Sequence, residues 1–310
     1  MVNLRGRDFL SISDVSKNEL DFILETAKNL KTRYKIGDKP KLLDGKTVAM
    51  IFKKHSTRTR LSFQAGLAHL GAQAFYMRPD EMQLARGETT EDTARIIDGY
   101  CDGLVIRTYA QEEVETYAKY MKNPVINALT DLEHPCQIVA DFLTILEKKK
   151  RLDGLRMVYA GDVWNVCHSL ILGCPKMGMD LYVARPEGYD PNPRILELAE
   201  ECAKDSRTKL AIGSGLKEAV RDVDIVYGNT WHSMGKPEAD KTKRLADFSP
   251  FRIDNAVMKE AKHDAIFMHC LPAYRGEEVT AEVIDGPQSV VFDEGENRMH
   301  AQKAILALLL

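Results

Sequence analysis

The chain has 310 residues, 44% hydrophobic and 29% charged, which is long enough for two ordinary domains and excludes a disordered or fibrous protein. Its 43 basic and 46 acidic side chains leave a net charge of −3, so no general basic field draws it to nucleic acid or an anionic membrane, and any anion site must be built locally. The longest apolar run, ILALLL at 305–310, is far short of a membrane span, the opening MVNLRGRDFLSISD has no signal-peptide core, and six scattered cysteines form neither a CxxC pair nor a zinc-like spacing, so a cytoplasmic protein without disulfides or structural metal is expected.

From residue 47 short runs rich in Val, Ile and Phe alternate with segments of helical period. The first series of predicted strands is TVAMIF (47–52), AQAFYM (72–77), GLVIRT (103–108) and PVINAL (124–129). The second is RMVYAG (156–161), DLYVAR (180–185), KLAIGS (209–214), DIVYGN (224–229) and AIFMHC (265–270). Such runs separated by helices imply an α/β fold with two parallel sheets and right-handed crossovers. An amphipathic segment over about 135–151, ending in the solvated tract EKKKRLDG, divides the two series and serves as the connector. The stretches 82–91 and 230–250 lack strand or helix period and read as polar loops, the longer one a lid. ENRMHAQKAILALLL reads as a final helix with one apolar face.

Ligands of open parallel sheets bind beyond the carboxyl ends of the strands, so the residues following each strand carry the chemistry. After 47–52 comes KKHSTRTR. Ser56 is a good N-cap, and a helix opening there points free amides and its positive end outward. Ser56, Thr57 and Thr59 add hydroxyls and Arg58 and Arg60 guanidiniums within one turn, a set suited to a dianionic phosphate. Arg107 lies at the carboxyl end of the strand at 103–108 and aims at the same crevice. His134 precedes a proline, which keeps it out of a helix interior and places it at the mouth of the following helix, with Gln137 on the first turn.

In the second series, Asn165, Asn229 and Ser233 follow strands and offer directional hydrogen bonds to a zwitterionic small molecule. Cys270 ends the last strand facing the cleft. No base stands beside it in the sequence to activate it as a nucleophile.

Together, STRTR (56–60), QLARGE (83–88), HPCQ (134–137), SMG (233–235), HCLP (269–272) and ENR (296–298) resemble, in order, the motifs of the aspartate and ornithine carbamoyltransferases, most closely those acting on ornithine. The resemblance spans nearly the whole chain. It implies two doubly wound parallel-sheet domains joined by helices, with residues 1–147 binding carbamoyl phosphate, 148–294 binding the amino acid, and a C-terminal helix at 295–310 returning to the first domain. It implies a homotrimer or a multiple of trimers, and transfer of a carbamoyl group to the side-chain amine of ornithine, giving citrulline and phosphate, without cofactor or metal. By the same resemblance Ser56, Thr57, Arg58 and Thr59 hold the phosphate, and Arg107, His134 and Gln137 position and polarise the carbamoyl group. Gln83 reaches carbamoyl phosphate from a neighbouring subunit. Asn165, Asn229, Ser233 and Met234 hold ornithine, and Cys270, Leu271 and Arg298 complete the site.

Three departures fall on the acceptor side. Asn229 stands where the family carries an acidic residue, Val163-Trp164 replaces a Gly-Asn pair, and His232 beside the SMG serine is unusual. A neutral amide holds an ammonium less strongly than a carboxylate does. Two other readings therefore stay open: a carbamoyltransferase for another amine such as putrescine, and a silent ligand-binding paralogue, against which the intact Arg58, Thr59, Arg107 and His134 argue. A nucleotide-binding dehydrogenase is excluded because no GxGxxG follows any strand.

Overall fold

The structure, a computed structural model, describes residues 2–204, 206–233 and 236–310. It divides into two compact units, Met1–Leu143 with Glu296–Leu310, and Thr144–Gly295.

The first unit runs α1 (Lys17–Lys35), β1 (Thr47–Phe52), α2 (Arg58–Leu70), β2 (Gln73–Met77), α3 (Thr90–Tyr100), β3 (Gly103–Arg107), α4 (Gln111–Tyr120), β4 (Val125–Leu129) and α5 (Pro135–Lys149). A reciprocal cap opens α1, where Ser16 and Glu19 each satisfy the other's backbone N–H. All strand pairs are parallel, in the order β2-β1-β3-β4. Strands β3 and β4 are buried throughout and β1 nearly so, as continuous apolar runs covered on both faces require, while the edge strand β2 is partly exposed. Ile51, Ile106, Val114 and Tyr117 are central to one core cluster of this unit.

The second unit runs β5 (Arg156–Ala160), α6 (Asn165–Lys176), β6 (Asp180–Ala184), α7 (Pro193–Ala203), β7 (Leu210–Gly213), α8 (Leu216–Ala219), β8 (Ile225–Gly228), α9 (Lys241–Phe248), α10 (Asn255–Glu260), β9 (Ile266–His269) and α11 (Ala281–Ile284). Its five strands are parallel in the order β7-β6-β5-β8-β9, over a core that includes Val158, Val226, Ile253 and Phe267. The chain leaves the first unit within α5 and regains it within α12 (Val291–Leu309). Each expected strand is present, with ends shifted by no more than a residue.

Three local expectations are corrected. The segment 230–250 is not all loop, because α9 occupies Lys241–Phe248. Its inward positions are Arg244 and Phe248, and an arginine on the buried face erases the apolar period that would reveal a helix. Within 82–91, Gln83–Arg86 forms a 3₁₀ turn, and the Thr89 hydroxyl caps α3. The last helix has no single apolar face. Asn297, Arg298, His300, Gln302 and Lys303 are buried alongside Ala301, Ala304 and Leu306.

Gly161, directly after β5, lies against the backbone after β8. A Cβ there would sit 2.5 Å from the Asn229 carbonyl oxygen and 2.8 Å from its Cβ. Gly161→Ala is expected to destabilise the second unit by about 1–3 kcal/mol, the usual cost of an overpacked contact. Chemical denaturation checks this as a lower midpoint, and an unchanged midpoint would contradict the close approach.

Candidate active site

In each sheet the strand order reverses at one place, between β1 and β3 in the first unit and between β5 and β8 in the second. Crossovers to opposite faces diverge there and leave a crevice at the strand carboxyl ends. Several of the candidate residues follow the strands that flank these two points.

In the first unit, Phe52 at the end of β1 pairs with Arg107 at the end of β3, which brings the STRTR turn beside the arginine. The regular helix begins at Arg58 and not at Ser56, and Thr57 already has helical backbone angles. Ser56 is nevertheless the capping side chain, because its Oγ accepts from the Thr59 N–H at 3.1 Å. That amide is consequently occupied, which leaves fewer free N–H groups than a helix opening at Ser56 implied. Thr57 is exposed, and Ser56 and Arg58 are half-buried.

Thr59 is buried, and its hydroxyl oxygen accepts from two guanidiniums. Arg298 Nη2 of α12 donates at 2.6 Å, and Arg107 Nη1 donates at 3.4 Å. Two donors fill both lone pairs, so the Thr59 proton remains available for a ligand oxygen.

His134 is buried immediately before Pro135 opens α5. Burial first, then the nearby Arg298, Arg107 and Arg58, hold its imidazole well below the usual histidine range. It is therefore a neutral hydrogen-bonding group amid three cations. Its turn is pinned by the Glu133 N–H donating to Thr130 Oγ1 at 3.0 Å and by the Ile12 N–H donating to Glu133 Oε2 at 3.2 Å. Gln137 is fully buried and donates from Nε2 to Asp141 Oδ1 at 2.8 Å.

Lys54 was not singled out from the sequence, although it lies in the KKHSTRTR turn. It is buried, ion-paired with Asp131 after β4, and 4.4 Å from the centre of the Tyr109 ring. Burial lowers its pKa while Asp131 opposes the shift. This pair ties the ends of β1 and β4 on either side of Arg107. Gln83 lies apart from these groups, exposed on its 3₁₀ turn.

In the second unit Asn165, Asn229 and Ser233 are buried, Cys270 and Leu271 are half-buried, and Met234 lies outside the described residues. Asn165 is the first residue of α6, and its Oδ1 accepts from the neighbouring Val166 N–H at 2.8 Å. Asn229 Nδ2 donates to the Tyr159 hydroxyl at 2.9 Å, and that hydroxyl donates to the Asp162 carbonyl at 2.6 Å. Asn229 Oδ1 accepts from the Thr230 N–H at 2.9 Å and from Cys270 Sγ at 3.5 Å. With the tyrosine proton already committed, position 229 has to be a donor, and a carboxylate there would face an oxygen. Asp162 is buried in an ion pair with Arg244, and Lys236 Nζ lies 3.7 Å from it and 3.4 Å from the centre of the Trp164 ring.

The turn at Cys270–Leu271 is braced by a buried pair that sequence reading passed over. His269 Nδ1 accepts from the Leu271 N–H at 2.9 Å, which puts its proton on Nε2, 3.2 Å from Glu278 Oε1. Among the described residues, no group of three His, Cys, Asp or Glu is arranged to hold a metal ion.

Residues 7–147 match the carbamoyl-P binding domain, and residues 153–309 the Asp/Orn binding domain, of the aspartate/ornithine carbamoyltransferases. The chain belongs to that family. It is 51% identical over 310 residues to the ornithine carbamoyltransferase of Pyrococcus horikoshii, covering 100% of this chain and 98% of the relative. The solved ornithine carbamoyltransferase of Pyrococcus furiosus superposes with a TM-score of 0.96 at 49% identity, covering 100% of this chain and 98% of that one. The corresponding structure from Gloeobacter violaceus gives a TM-score of 0.88 at 44% identity, covering 99% of each chain.

The depressed His134 pKa carries a definite sign. As pH falls through about 6.5, the unfolded chain takes up a proton that the folded imidazole refuses, so this residue costs stability on the acid side. The His134 Cε1–H resonance should stay flat between about pH 8 and 5.5. A midpoint near 6.5, as in an unburied imidazole, would contradict the assignment.

Proposed function

We propose that this carbamoyltransferase moves the carbamoyl group of carbamoyl phosphate onto the side-chain amine of ornithine, releasing citrulline and phosphate in the cytoplasm. The observation that carries the reading is the Thr59 hydroxyl shared by Arg107 and Arg298 beside a neutral His134. Full-length identity near one half to ornithine carbamoyltransferases supports ornithine as acceptor. No helix of the described residues is long and apolar enough to cross a membrane.

In this mechanism Ser56, Thr57, Arg58 and Thr59 hold the phosphate of carbamoyl phosphate. Arg107, His134 and Gln137 position its carbamoyl group, with Arg298 bracing Thr59. The neutral amine attacks the carbamoyl carbon, forming a C–N bond and a tetrahedral oxyanion. The guanidiniums and the neutral imidazole stabilise that charge as donors prearranged in a buried site. The C–O bond to phosphate then breaks, and the leaving phosphate accepts the proton lost by the amine. Asn165, Asn229, Ser233 and Met234 hold the amino acid, while Cys270 and Leu271 complete the site on the carbamoyl phosphate side. Residues 1–147 with 295–310 would thus form the carbamoyl phosphate domain and 148–294 the ornithine domain. Gln83 serves a neighbouring protomer of a homotrimer. Its exposure, and that of Leu61, Phe75 and Ile96 in the same unit, supports such a surface.

Thr59→Val keeps the shape of the side chain and removes the shared acceptor. It is expected to lower kcat by roughly 10²–10³, the cost of losing one preorganised polar group at a developing oxyanion. Steady-state assay of a folded variant checks this, and a kcat within a few-fold of the parent would contradict the role.

A second reading, an amine other than ornithine, is favoured by one observation. The Asn229 amide donates to a tyrosine whose proton is committed elsewhere, and Asp162 is already ion-paired, so neither offers a free carboxylate to an α-ammonium. Carbamoylation assays across ornithine, putrescine and related amines separate the readings. Ornithine is expected to have the highest kcat/KM. A higher value for putrescine, or an Asn229→Asp variant that gains ornithine activity, would transfer the assignment to the second reading.

A further inference from the structure

At the end of α2 remote from Thr59 lies a second concentration of positive charge. His69 is in the last turn of α2, ten residues beyond Thr59, which is about 15 Å along a helix. Its ring stacks on Tyr34 of α1, with centroids 5.0 Å apart. His300 of α12 packs on the same tyrosine at 5.5 Å. The ammonium of Lys303 stands 5.4 Å from the Tyr34 ring centre and that of Lys39 5.6 Å. Four basic side chains thus surround one aromatic ring.

Lys303 is the decisive member. Its stem runs over Gly66, where an added Cβ would lie 3.1 Å from the lysine Cγ, so this glycine gives the chain its passage. The residue is wholly buried, and its Nζ has no hydrogen-bond partner in the protein. The ring nitrogens of buried His300 and Nδ1 of His69 also lack hydrogen-bond partners. A buried ammonium without an acceptor costs several kcal/mol, so such a group calls for a counterpart.

The nearby protein groups do not supply it. Asp38 is committed to Arg33 at 2.6 Å, and Lys31 donates to Asn297 Oδ1 at 2.6 Å. Glu296 comes no closer than 3.6 Å to His300 Nε2, beyond a hydrogen bond. The Ala68 carbonyl near the end of α2 is already served by Lys41 at 3.2 Å.

We propose that Lys303, His300, His69 and Lys39 form a second anion site around Tyr34, distinct from the STRTR cradle, that takes a small oxyanion of the phosphate or sulfate type. The buried ammonium and the imidazole N–H groups donate to it, and exposed Lys39 stands on its solvent side. The charges support this arrangement. Burial and then the neighbouring lysines push His300 down to about 3 and lower His69, and burial followed by Lys39 and Arg33 lowers Lys303. An oxyanion among these groups relieves that repulsion.

The test uses the full chain with ¹³C-labelled histidine, titrated with sulfate and, separately, with chloride at matched ionic strength. The His69 and His300 resonances should shift saturably with sulfate and not with chloride, and inorganic phosphate should reproduce the sulfate effect. The His134 resonance reports the STRTR cradle, so the two sites titrate separately in one sample. Lys303→Met should weaken the His69 and His300 response about tenfold or more, the loss of one charge-assisted bond, while leaving the His134 response in place. Lys39→Gln, at an exposed position that tolerates substitution, should weaken it several-fold. A response that never saturates, is matched by chloride, or persists unchanged in both variants overturns the proposal.

Discussion

The first unit depends on a hydroxyl that accepts twice. Thr59 stands near the start of α2, Arg107 at the end of β3 and Arg298 on α12, so a single oxygen joins three elements far apart in the chain. Without the threonine, two buried guanidiniums would lose an acceptor they share. The neutral imidazole of His134 follows first from burial and then from the crowding of guanidiniums, which leaves a fourth positive charge no favourable place. The groups are preorganised for an anion by the difficulty of burying them without one.

The second unit meets the opposite requirement. The buried carboxylate after β5 at the strand reversal, Asp162, is compensated by Arg244 and Lys236. What remains at the strand ends is a neutral amide in Asn229, a hydroxyl in Ser233 and an aromatic face in Trp164. The Tyr159–Asn229 bond makes residue 229 part of a relay that ends on a backbone carbonyl, so its amide is set by the local framework as well as by any ligand.

Much of this was legible in the sequence, for a physical reason. Parallel strands covered on both faces must be continuous apolar runs, as β3 and β4 are, and even the partly exposed edge strands β2 and β7 keep enough apolar residues to be read as strands. Helix α9 was hidden because an arginine fills its inward face, whereas α12 was legible as a helix and only its lack of a single apolar face was not, because its buried groups include Lys303, His300 and Arg298. Pairings such as Lys54 with Asp131, His269 with Glu278 and Tyr159 with Asn229 join residues whose approach is set by sheet order, and no periodicity records them. The Ser56 cap was anticipated in kind but misplaced by two residues as a helix start, an ordinary uncertainty at frayed ends.

The helix that brings Arg298 to Thr59 is translated after the whole of the second unit. On the ribosome, the first sheet and its STRTR turn therefore emerge with Arg107 in place and one guanidinium missing. In the finished protein, proteolytic release of that helix would take Arg298 from Thr59 while leaving every strand of both sheets in the chain.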